Sequence, residues 1–364
     1  MEFPLEGVRV VCFAELYPGP YAAALMADMG ANVIQVERPT GDQGRQMPDF
    51  FATFARGKRS VVADLKDDRI RERLRPLLEK ADIVLEGFSP GTAARLQVDY
   101  DSVRAINPGV IYASITGFGQ TGPYRDRVGH DLSYQSIVGL LEDQYQDPRA
   151  VPTAALGDVS GSLFALVGIL AALEGHHRTG QGTYIDVSMT DCLVASLAPW
   201  IAPALNGRTR IDVGERAPAN ALFKTSDGRV LSLSIVQEDH FWRELCVELG
   251  LHEYMNLSFD ERADQSDRLR EAVTERIAGD TMSHWTRRLA SIRVAWAPVN
   301  SLEDVAEDPH FATRGMFPEI RGEDGQPMRV VGTPLKFSHY RSATSGSVPG
   351  LGEATEELLG GIPE

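Results

Sequence analysis

The stretch VRVVCFAELYPGPYAAALMADMGANVIQVERP, residues 8–39, decides the fold class. Its first part, residues 8–14, is an apolar and β-branched run that is typical of a buried strand. Residues 18–30 have proline near the start and glycine at the end, a pattern that predicts a helix. Residues 31–39 resemble a second strand. A strand, a helix and a strand in this order predict a βαβ unit and therefore a parallel sheet.

The pattern continues along the first half of the chain, which predicts a doubly wound α/β layer structure. Apolar runs at 60–65, 81–88 and 109–119 indicate further strands, and 68–81 indicates a helix. The pattern of alternating strands and helices ends after residue 190. The segment 201–220 is rich in Gly, Arg and Pro, which is typical of a linker. A smaller α+β domain is expected over 221–312, beginning with a hairpin around Asp227-Gly228.

The first strand–helix turn argues against a dinucleotide site. A Rossmann fingerprint needs G-x-G-x-x-G there, so that the backbone can approach a pyrophosphate. Residues 15–23 are instead ELYPGPYAA. Glu37, at the end of the second strand, is the one residue that fits the pattern, and Arg38 beside it favours a phosphate ligand.

Composition excludes some classes of function. The net charge of −15 over 364 residues argues against nucleic-acid binding, which usually needs an excess of Lys and Arg. Three widely spaced cysteines suit a reducing cytoplasm. No basic, apolar leader opens the chain, and the apolar run 162–175 is expected to be a buried helix too short for a bilayer. A cytoplasmic protein without a membrane partner and without a metal site is therefore expected.

Two glycine-flanked turns carry acid–base residues. His130 and Asp131 follow Gly129 in VGHDLSYQSIVG, and Asp158 follows Gly157 in AALGDVSG. Each has a plain structural interpretation, since His130 suits a turn and Asp158 suits a helix N-cap. The alternative is a pair of groups that exchange protons with a substrate.

These motifs belong to a wider resemblance. The blocks LEGVRVVCFAELYPGPYAAALMADMGANVIQVERP, RGKRSVVADLK, ADIVLEGFSPGTAARL, YASITGFGQTGPYRDRVGHD, LGD and APVNSLEDVAEDP make the chain similar to the class III CoA-transferase (CaiB/BaiF) family. The resemblance implies a Rossmann-like large domain, over 1–200, that binds CoA and not NAD. It further implies a return segment, 313–364, that completes this domain, and an interlocked homodimer.

Within the family, the GHD motif resembles that of the α-methylacyl-CoA racemase branch. That resemblance implies that Asp158 and His130 carry protons on the two faces of a 2-methylacyl-CoA, and that Glu238 supports the histidine. The backbone N–H groups at Gly157 and Asp158 would stabilise the enolate oxygen. In the transferases, the aspartate of LGD instead attacks the acyl-CoA and forms a mixed anhydride. A silent CoA-binding subunit is a third alternative, although it would not need both His130 and Asp158.

The same resemblance assigns the CoA site. No permanently bound cofactor is expected, because the CoA thioester is the substrate. The family's CoA-binding positions, which follow the nucleotide end and the pantetheine of CoA, match six residues of this chain. These are Leu16, Arg38, Lys66, Phe88, Pro90 and Arg95.

Overall fold

The computed structural model describes residues 2–142, 152, 154–209, 214–344 and 346–360. Its strands are β1 (Arg9–Cys12), β2 (Asn32–Glu37), β3 (Arg59–Val62), β4 (Ile83–Glu86), β5 (Ile111–Thr116), β6 (Thr183–Ser188), β7 (Asn220–Lys224), β8 (Val230–Ser234), β9 (Trp296–Pro298), β10 (Glu319–Arg321) and β11 (Pro327–Arg329). Its helices are α1 (Pro18–Asp28), α2 (Pro48–Ala55), α3 (Asp68–Lys80), α4 (Thr92–Arg95), α5 (Tyr100–Ile106), α6 (Asp131–Ile137), α7 (Leu156–Thr179), α8 (Met189–Ser196), α9 (Ala198–Leu205), α10 (Asp239–Leu249), α11 (Phe259–Asp264), α12 (Ser266–Ala278), α13 (Met282–Leu289), α14 (Leu302–Glu307), α15 (Pro309–Thr313) and α16 (Thr355–Leu359).

The first six strands form one parallel sheet in the order β3-β2-β1-β4-β5-β6. The predicted α/β class and parallel sheet are therefore confirmed. Strand β6 was not predicted, because its first residues are polar and exposed at the edge of the sheet. Chain order reverses between β1 and β4, and in open α/β sheets ligands bind beyond the carboxyl ends of the strands at such a point.

Alternate residues of the central strands pack on opposite faces of the sheet. In β1, Val10 and Cys12 join a core with α1, α7 and α8. Val11, together with Phe13 just beyond the strand, joins a second core with α3 and α16. Both faces are apolar, which is why these strands are continuous hydrophobic runs in the sequence.

Helix α7 differs from its prediction. It was expected over 162–175 and too short for a membrane, but it runs for 24 residues from Leu156. Among the described residues, it is long and apolar enough to cross a bilayer by length and composition alone. One face, with Ala165 and Ile169, is buried in the core of the sheet, while Val167 on another face is 62% exposed. The expectation of insufficient length was wrong because the helix begins at the LGD motif itself.

Contacts divide the chain into two compact units, one made of residues 1–201 and 310–364 and the other of 202–309. Residues 201–205, at the start of the predicted linker, belong to helix α9, and 210–213 of that linker lie outside the described residues. In the first unit, the late segment reaches the sheet edge, where the Val62 backbone N–H donates to Thr355. Leu359 is buried there in the core. The end of the predicted return segment, 361–364, and residue 345 lie outside the description.

The second unit has its own core around the three-stranded antiparallel sheet β7-β8-β9. The hairpin expected at Asp227-Gly228 is present, and Gly228 has a φ of +78°, as a tight turn of this kind requires. Helices α10, α12 and α13 contribute buried residues to this core. Helix α11 and strand β9 were not predicted, because both are very short.

Candidate active site

Two cavities of the first unit open beyond the carboxyl ends of β1 and β4. One, of about 560 Å³, is lined by His130 and Asp158, and we call it the His–Asp cavity. The other, of about 660 Å³, is lined by Arg38 and Lys66, and we call it the Arg–Lys cavity. They share the lining residues Glu15, Leu16, Gly87 and Phe88. A long ligand lying across these shared residues would reach both cavities.

The GHD and LGD motifs are joined by a hydrogen bond. The carboxylate of Asp131, in the first turn of α6, accepts from the backbone N–H of Gly157 at 2.7 Å. Its other oxygen accepts from Gln135, which also donates to the carbonyl of Ala154 at 2.9 Å. His130 is the N-cap residue of α6 and its side chain is exposed at the cavity. The start of α6 is thereby fixed against the start of α7, which carries Asp158.

The glycines of both motifs are required by close contacts. A Cβ atom on Gly157 would lie 2.9 Å from Oδ1 of Asp131, and one on Gly129 would lie 2.8 Å from the Tyr134 ring. The Tyr134 hydroxyl donates to the Gly129 carbonyl at 2.6 Å. Larger residues at these positions would force the two turns apart.

The carboxyl group of Asp158 is suited to proton transfer near neutral pH. It is half-buried, and burial together with the nearby charge of Asp131 raises its pKa to about 6. Burial also raises the pKa of Tyr17 and of Tyr134 to about 12, with a contribution from the charge of Asp158 in both cases. Both tyrosines line the same cavity and are neutral hydrogen-bonding groups at pH 7.

The Arg–Lys cavity contains the two cations predicted for the nucleotide end of CoA. Lys66 is exposed there, while Arg38 pairs with Glu15 at 2.8 Å and donates to the Gly41 carbonyl at 3.0 Å. Burial raises the pKa of Glu15, and the charge of Arg38 opposes this effect. A phosphate at Arg38 would therefore compete with Glu15 for the guanidinium.

Glu37, which fitted the dinucleotide pattern, is engaged elsewhere. Its buried carboxylate accepts from Arg45 at 2.7 Å and from Ser60 at 2.6 Å. Burial raises the pKa of Glu37, but these hydrogen bonds outweigh that effect, so the pKa is lowered. It is therefore a structural ion-pair partner, not a free ribose ligand.

Leu16 and Phe88 line both cavities, and Pro90 lines the His–Asp cavity. Their contacts with CoA remain predictions. Leu16 has a φ of +64°, which is rare for leucine, and its N–H donates to the Asp42 carboxylate at 3.1 Å. Arg95 lines neither cavity; its guanidinium donates to Thr92 of the same helix, α4.

Glu238 belongs to the second unit, at the N-cap of α10. Its carboxylate accepts from the backbone N–H of Val236 at 2.9 Å, and hydrogen bonds of this kind lower its pKa. The described structure thus gives Glu238 a local hydrogen bond to the turn before α10, and its side chain does not cap the helix. Its predicted support of His130 remains a prediction.

Sequence reasoning missed several residues that line the His–Asp cavity, namely Tyr17, Tyr134, Arg125 and Arg127. Tyr17 lies in the turn ELYPGP, and the others lie in or beside the block YRDRVGHD, so their position next to the motifs was the available signal. Within the residues that the structure describes, no group of three or more His, Cys, Asp and Glu side chains could hold a metal ion.

Comparison with known proteins identifies the family of the chain. The family model for CoA-transferase family III matches residues 5–355. Succinate–glutarate CoA-transferase of Agrobacterium fabrum is 34% identical, with 98% of this chain and 95% of that protein covered. Human alpha-methylacyl-CoA racemase is 31% identical, with 98% and 92% covered. The crystal structure of a CaiB/BaiF family protein from Brucella suis superposes with a TM-score of 0.85 at 31% identity, covering 98% and 99%.

These matches extend over nearly the whole chain, so they include both cavities as well as the sheet. Relatives named for CoA transfer and for racemisation match the chain at similar identity, 34% and 31%. The resemblance seen in the sequence is therefore confirmed, and the chain belongs to CoA-transferase family III and is an enzyme of that family.

Proposed function

We propose that the protein is a 2-methylacyl-CoA racemase or epimerase that works by 1,1-proton transfer through an enolate. The observation that carries this proposal is the presence of His130 and Asp158 in one cavity, at helix starts held together by Asp131. Racemisation needs a base on one face of C2 and an acid on the other. Acyl transfer needs only the aspartate.

Each group has a defined part in this mechanism. Asp158, with a pKa of about 6, is ionised at pH 7 and close enough to neutrality to give and take a proton. His130 reaches the same cavity from the loop before α6 and exchanges the proton on the opposite face. The roles reverse for the other enantiomer.

One of the two backbone donors expected to stabilise the enolate oxygen is engaged within the protein. The N–H of Gly157 is donated to Asp131, so it is not available as a donor to the substrate. The N-terminal end of the 24-residue helix α7 still places positive helix dipole beside Asp158. We assign the electrostatic role to this helix terminus.

Incubation of the protein with a pure 2R-methylacyl-CoA in deuterated water tests the proposal. The expected result is deuterium at C2 and a growing 2S signal without any acceptor acid. His130→Asn and Asp158→Asn should each reduce racemisation by about 10²- to 10⁴-fold, the usual effect of removing a general acid or base. A His130→Asn protein that racemises at the wild-type rate would refute the two-base mechanism.

CoA transfer is the second candidate, because relatives named as CoA-transferases match 98% of the chain. In that reaction Asp158 attacks the acyl-CoA, CoA leaves as the thiolate, and a mixed anhydride forms on the carboxyl group. Mass spectrometry of the peptide containing AALGDVSG, quenched during turnover with an acceptor acid, distinguishes the two reactions. An acyl or CoA adduct on Asp158 supports transfer, and an unmodified peptide with deuterium exchange supports racemisation.

The proposal includes a homodimer in the cytoplasm, as the family resemblance implies. Helix α7 has an exposed apolar face with Leu163, Phe164 and Val167, which supports an assembly that covers it. Light scattering at low protein concentration should give twice the chain mass of 39.8 kDa. A folded monomer would refute this part of the proposal alone.

A further inference from the structure

Tyr17 is held in place by a cluster of aromatic rings. It is the N-cap residue of α1 and is followed by Pro18, whose fixed φ suits the first turn of a helix. Its ring centre lies 4.6 Å from that of Phe54, 5.9 Å from that of Tyr21 and 6.0 Å from that of Phe50. Tilted rings at such separations attract one another. The cluster therefore restricts the orientation of the Tyr17 ring.

The phenol of Tyr17 is a hydrogen-bond donor inside the proposed active site. Tyr17 lines the His–Asp cavity, and in the part of the chain that the structure describes its hydroxyl makes no hydrogen bond. The hydroxyl of Tyr134, in the same cavity, is instead donated to the Gly129 carbonyl at 2.6 Å. Burial raises the pKa of the Tyr17 phenol to about 12, and the charge of Asp158 contributes to this effect. The phenol is therefore a neutral donor at pH 7 that lies near enough to Asp158 to feel its charge.

The proposed reaction needs a donor of this kind. When the C2–H bond breaks, its electron pair forms the double bond between C1 and C2, and the carbonyl oxygen of the thioester gains a negative charge. A donor that already points at this oxygen lowers the barrier. The N–H of Gly157 is engaged by Asp131, so a side chain can take its place. A phenol can do so and keep its own proton, since its pKa lies well above pH 7.

We propose that Tyr17 is a catalytic residue whose hydroxyl donates a hydrogen bond to the thioester carbonyl oxygen and stabilises the charge that this oxygen gains. The inference rests on the proposed acyl-CoA function. It applies to CoA transfer as well, because attack of Asp158 on the thioester also places negative charge on the same oxygen. Tyr17 transfers no proton, so the parts of His130 and Asp158 in the proposed mechanism are unchanged.

The variant Tyr17→Phe tests the inference, because it removes only the hydroxyl and keeps the ring that packs against Phe54. With a 2-methylacyl-CoA in deuterated water, kcat for deuterium incorporation at C2 should fall by about 10²- to 10³-fold, the usual loss when one such donor is removed. KM and the affinity for free CoA should change by less than about twofold, because the hydrogen bond strengthens mainly in the transition state. A loss confined to KM would make Tyr17 a binding residue and overturn the inference.

Tyr21→Phe is the matched control, because it removes a hydroxyl from the same aromatic cluster. Tyr21 lies 5.6 Å from Phe54, between ring centres, and lines neither cavity. This variant should keep the wild-type kcat. A loss of equal size in both variants would assign the effect to the packing of the cluster and not to the Tyr17 hydroxyl.

Infrared spectroscopy tests the hydrogen bond without turnover. Pivaloyl-CoA with an isotopic label at the thioester carbonyl is a suitable probe, because it has no proton at C2 and cannot be racemised. A hydrogen bond polarises a carbonyl group and lowers its stretching frequency. The band of bound pivaloyl-CoA should therefore lie below that of the free thioester in the wild-type and Tyr21→Phe proteins. In Tyr17→Phe it should lie nearer the frequency of the free thioester.

The outcomes separate this inference from the proposed function. A Tyr17→Phe protein with the wild-type kcat, or with the wild-type carbonyl band, would overturn the inference and leave the proposed function intact. A wild-type protein that acylates Asp158 and exchanges no C2 proton would refute racemisation alone. The rate of adduct formation then replaces deuterium incorporation, and the same loss is expected in Tyr17→Phe. A wild-type protein that binds no CoA thioester would refute both.

Discussion

The carboxylate of Asp131 accepts a hydrogen bond from the backbone N–H of Gly157 at 2.7 Å. These residues are neighbours of His130 and Asp158, so one bond sets the relative position of the two groups on which the proposed reaction depends. The same carboxylate helps to raise the pKa of Asp158. Asp131 is thus a positioning residue with both a geometric and an electrostatic effect.

Gly157→Ala should destabilise the protein by about 1 to 3 kcal/mol, because the new Cβ would lie 2.9 Å from the Asp131 carboxylate. Catalytic activity should also fall, because the start of α7, which carries Asp158, must move to accommodate the new Cβ atom. Gly175→Ala in the same helix is the control: a Cβ there meets no atom within 4 Å, and alanine favours a helix by about 0.5 to 1 kcal/mol. Guanidinium unfolding of both variants checks the prediction, and equal stabilities would contradict it.

Asp131→Asn should move the acid limb of the pH–kcat/KM profile to lower pH. Asp158 must be ionised to remove a proton or to attack a thioester, so activity is lost as the pH falls through its pKa of about 6. Removing the charge of Asp131 lowers that pKa, while the amide oxygen can still accept from Gly157. A limb that stays at the wild-type pH would show that Asp131 has no electrostatic effect on Asp158.

Asp158→Asn should stabilise the fold at pH 8. The folded-state pKa of about 6 lies above the ordinary carboxyl value of 3.8, so the ionised carboxylate costs stability above pH 6. Wild-type stability should increase as the pH falls from 6 towards 3.8, since the folded state then binds the proton more strongly than the unfolded state. The variant should therefore gain about 1 to 2 kcal/mol at pH 8 and much less at pH 4.2. Denaturant unfolding at both pH values measures this, and an equal gain at both would contradict it.

The cations of the Arg–Lys cavity should control the affinity for free CoA. Arg38→Ala and Lys66→Ala should each weaken binding by about tenfold at low salt, and by less at high salt, where exposed charges are screened. Arg95→Ala tests the remaining sequence-based assignment, because Arg95 lines neither cavity. Titration of the three variants with CoA measures their affinities. Unchanged affinity of Arg95→Ala would show that CoA binding depends on the residues that line the cavity, and weaker binding would support the assignment of Arg95 from the family resemblance.

The sheet could be predicted because its strands are buried on both faces. Continuous apolar runs such as the one containing Val10 to Phe13 are readily identified as buried strands. Strand β6 was missed because Thr183, Tyr184 and Asp186 are polar or aromatic at an edge, where hydrogen bonds to β5 decide the structure. The start of α7 was missed because Gly157 and Gly161 are weak helix formers, accepted there for close packing.

The candidate site was predictable only where a motif marks it. His130 and Asp158 could be named from GHD and LGD, and they do line one cavity. The hydrogen bond between Asp131 and Gly157 could not be foreseen, because it depends on how α6 and α7 pack in space. Likewise, Arg127 has the same sequence signal as Arg125, and only the aromatic rings and ion pairs around them distinguish the two.

The segment 117–130, between β5 and α6, is irregular and carries both Arg127 and His130. It contributes no strand to the sheet, and the Arg–Lys cavity is built from other loops. In the proposed function, substitutions here would change the lining of the His–Asp cavity and leave the sheet and the lining of the Arg–Lys cavity unchanged. Such a loop offers a physical route by which enzymes built on this fold can differ in substrate while they keep the same sheet.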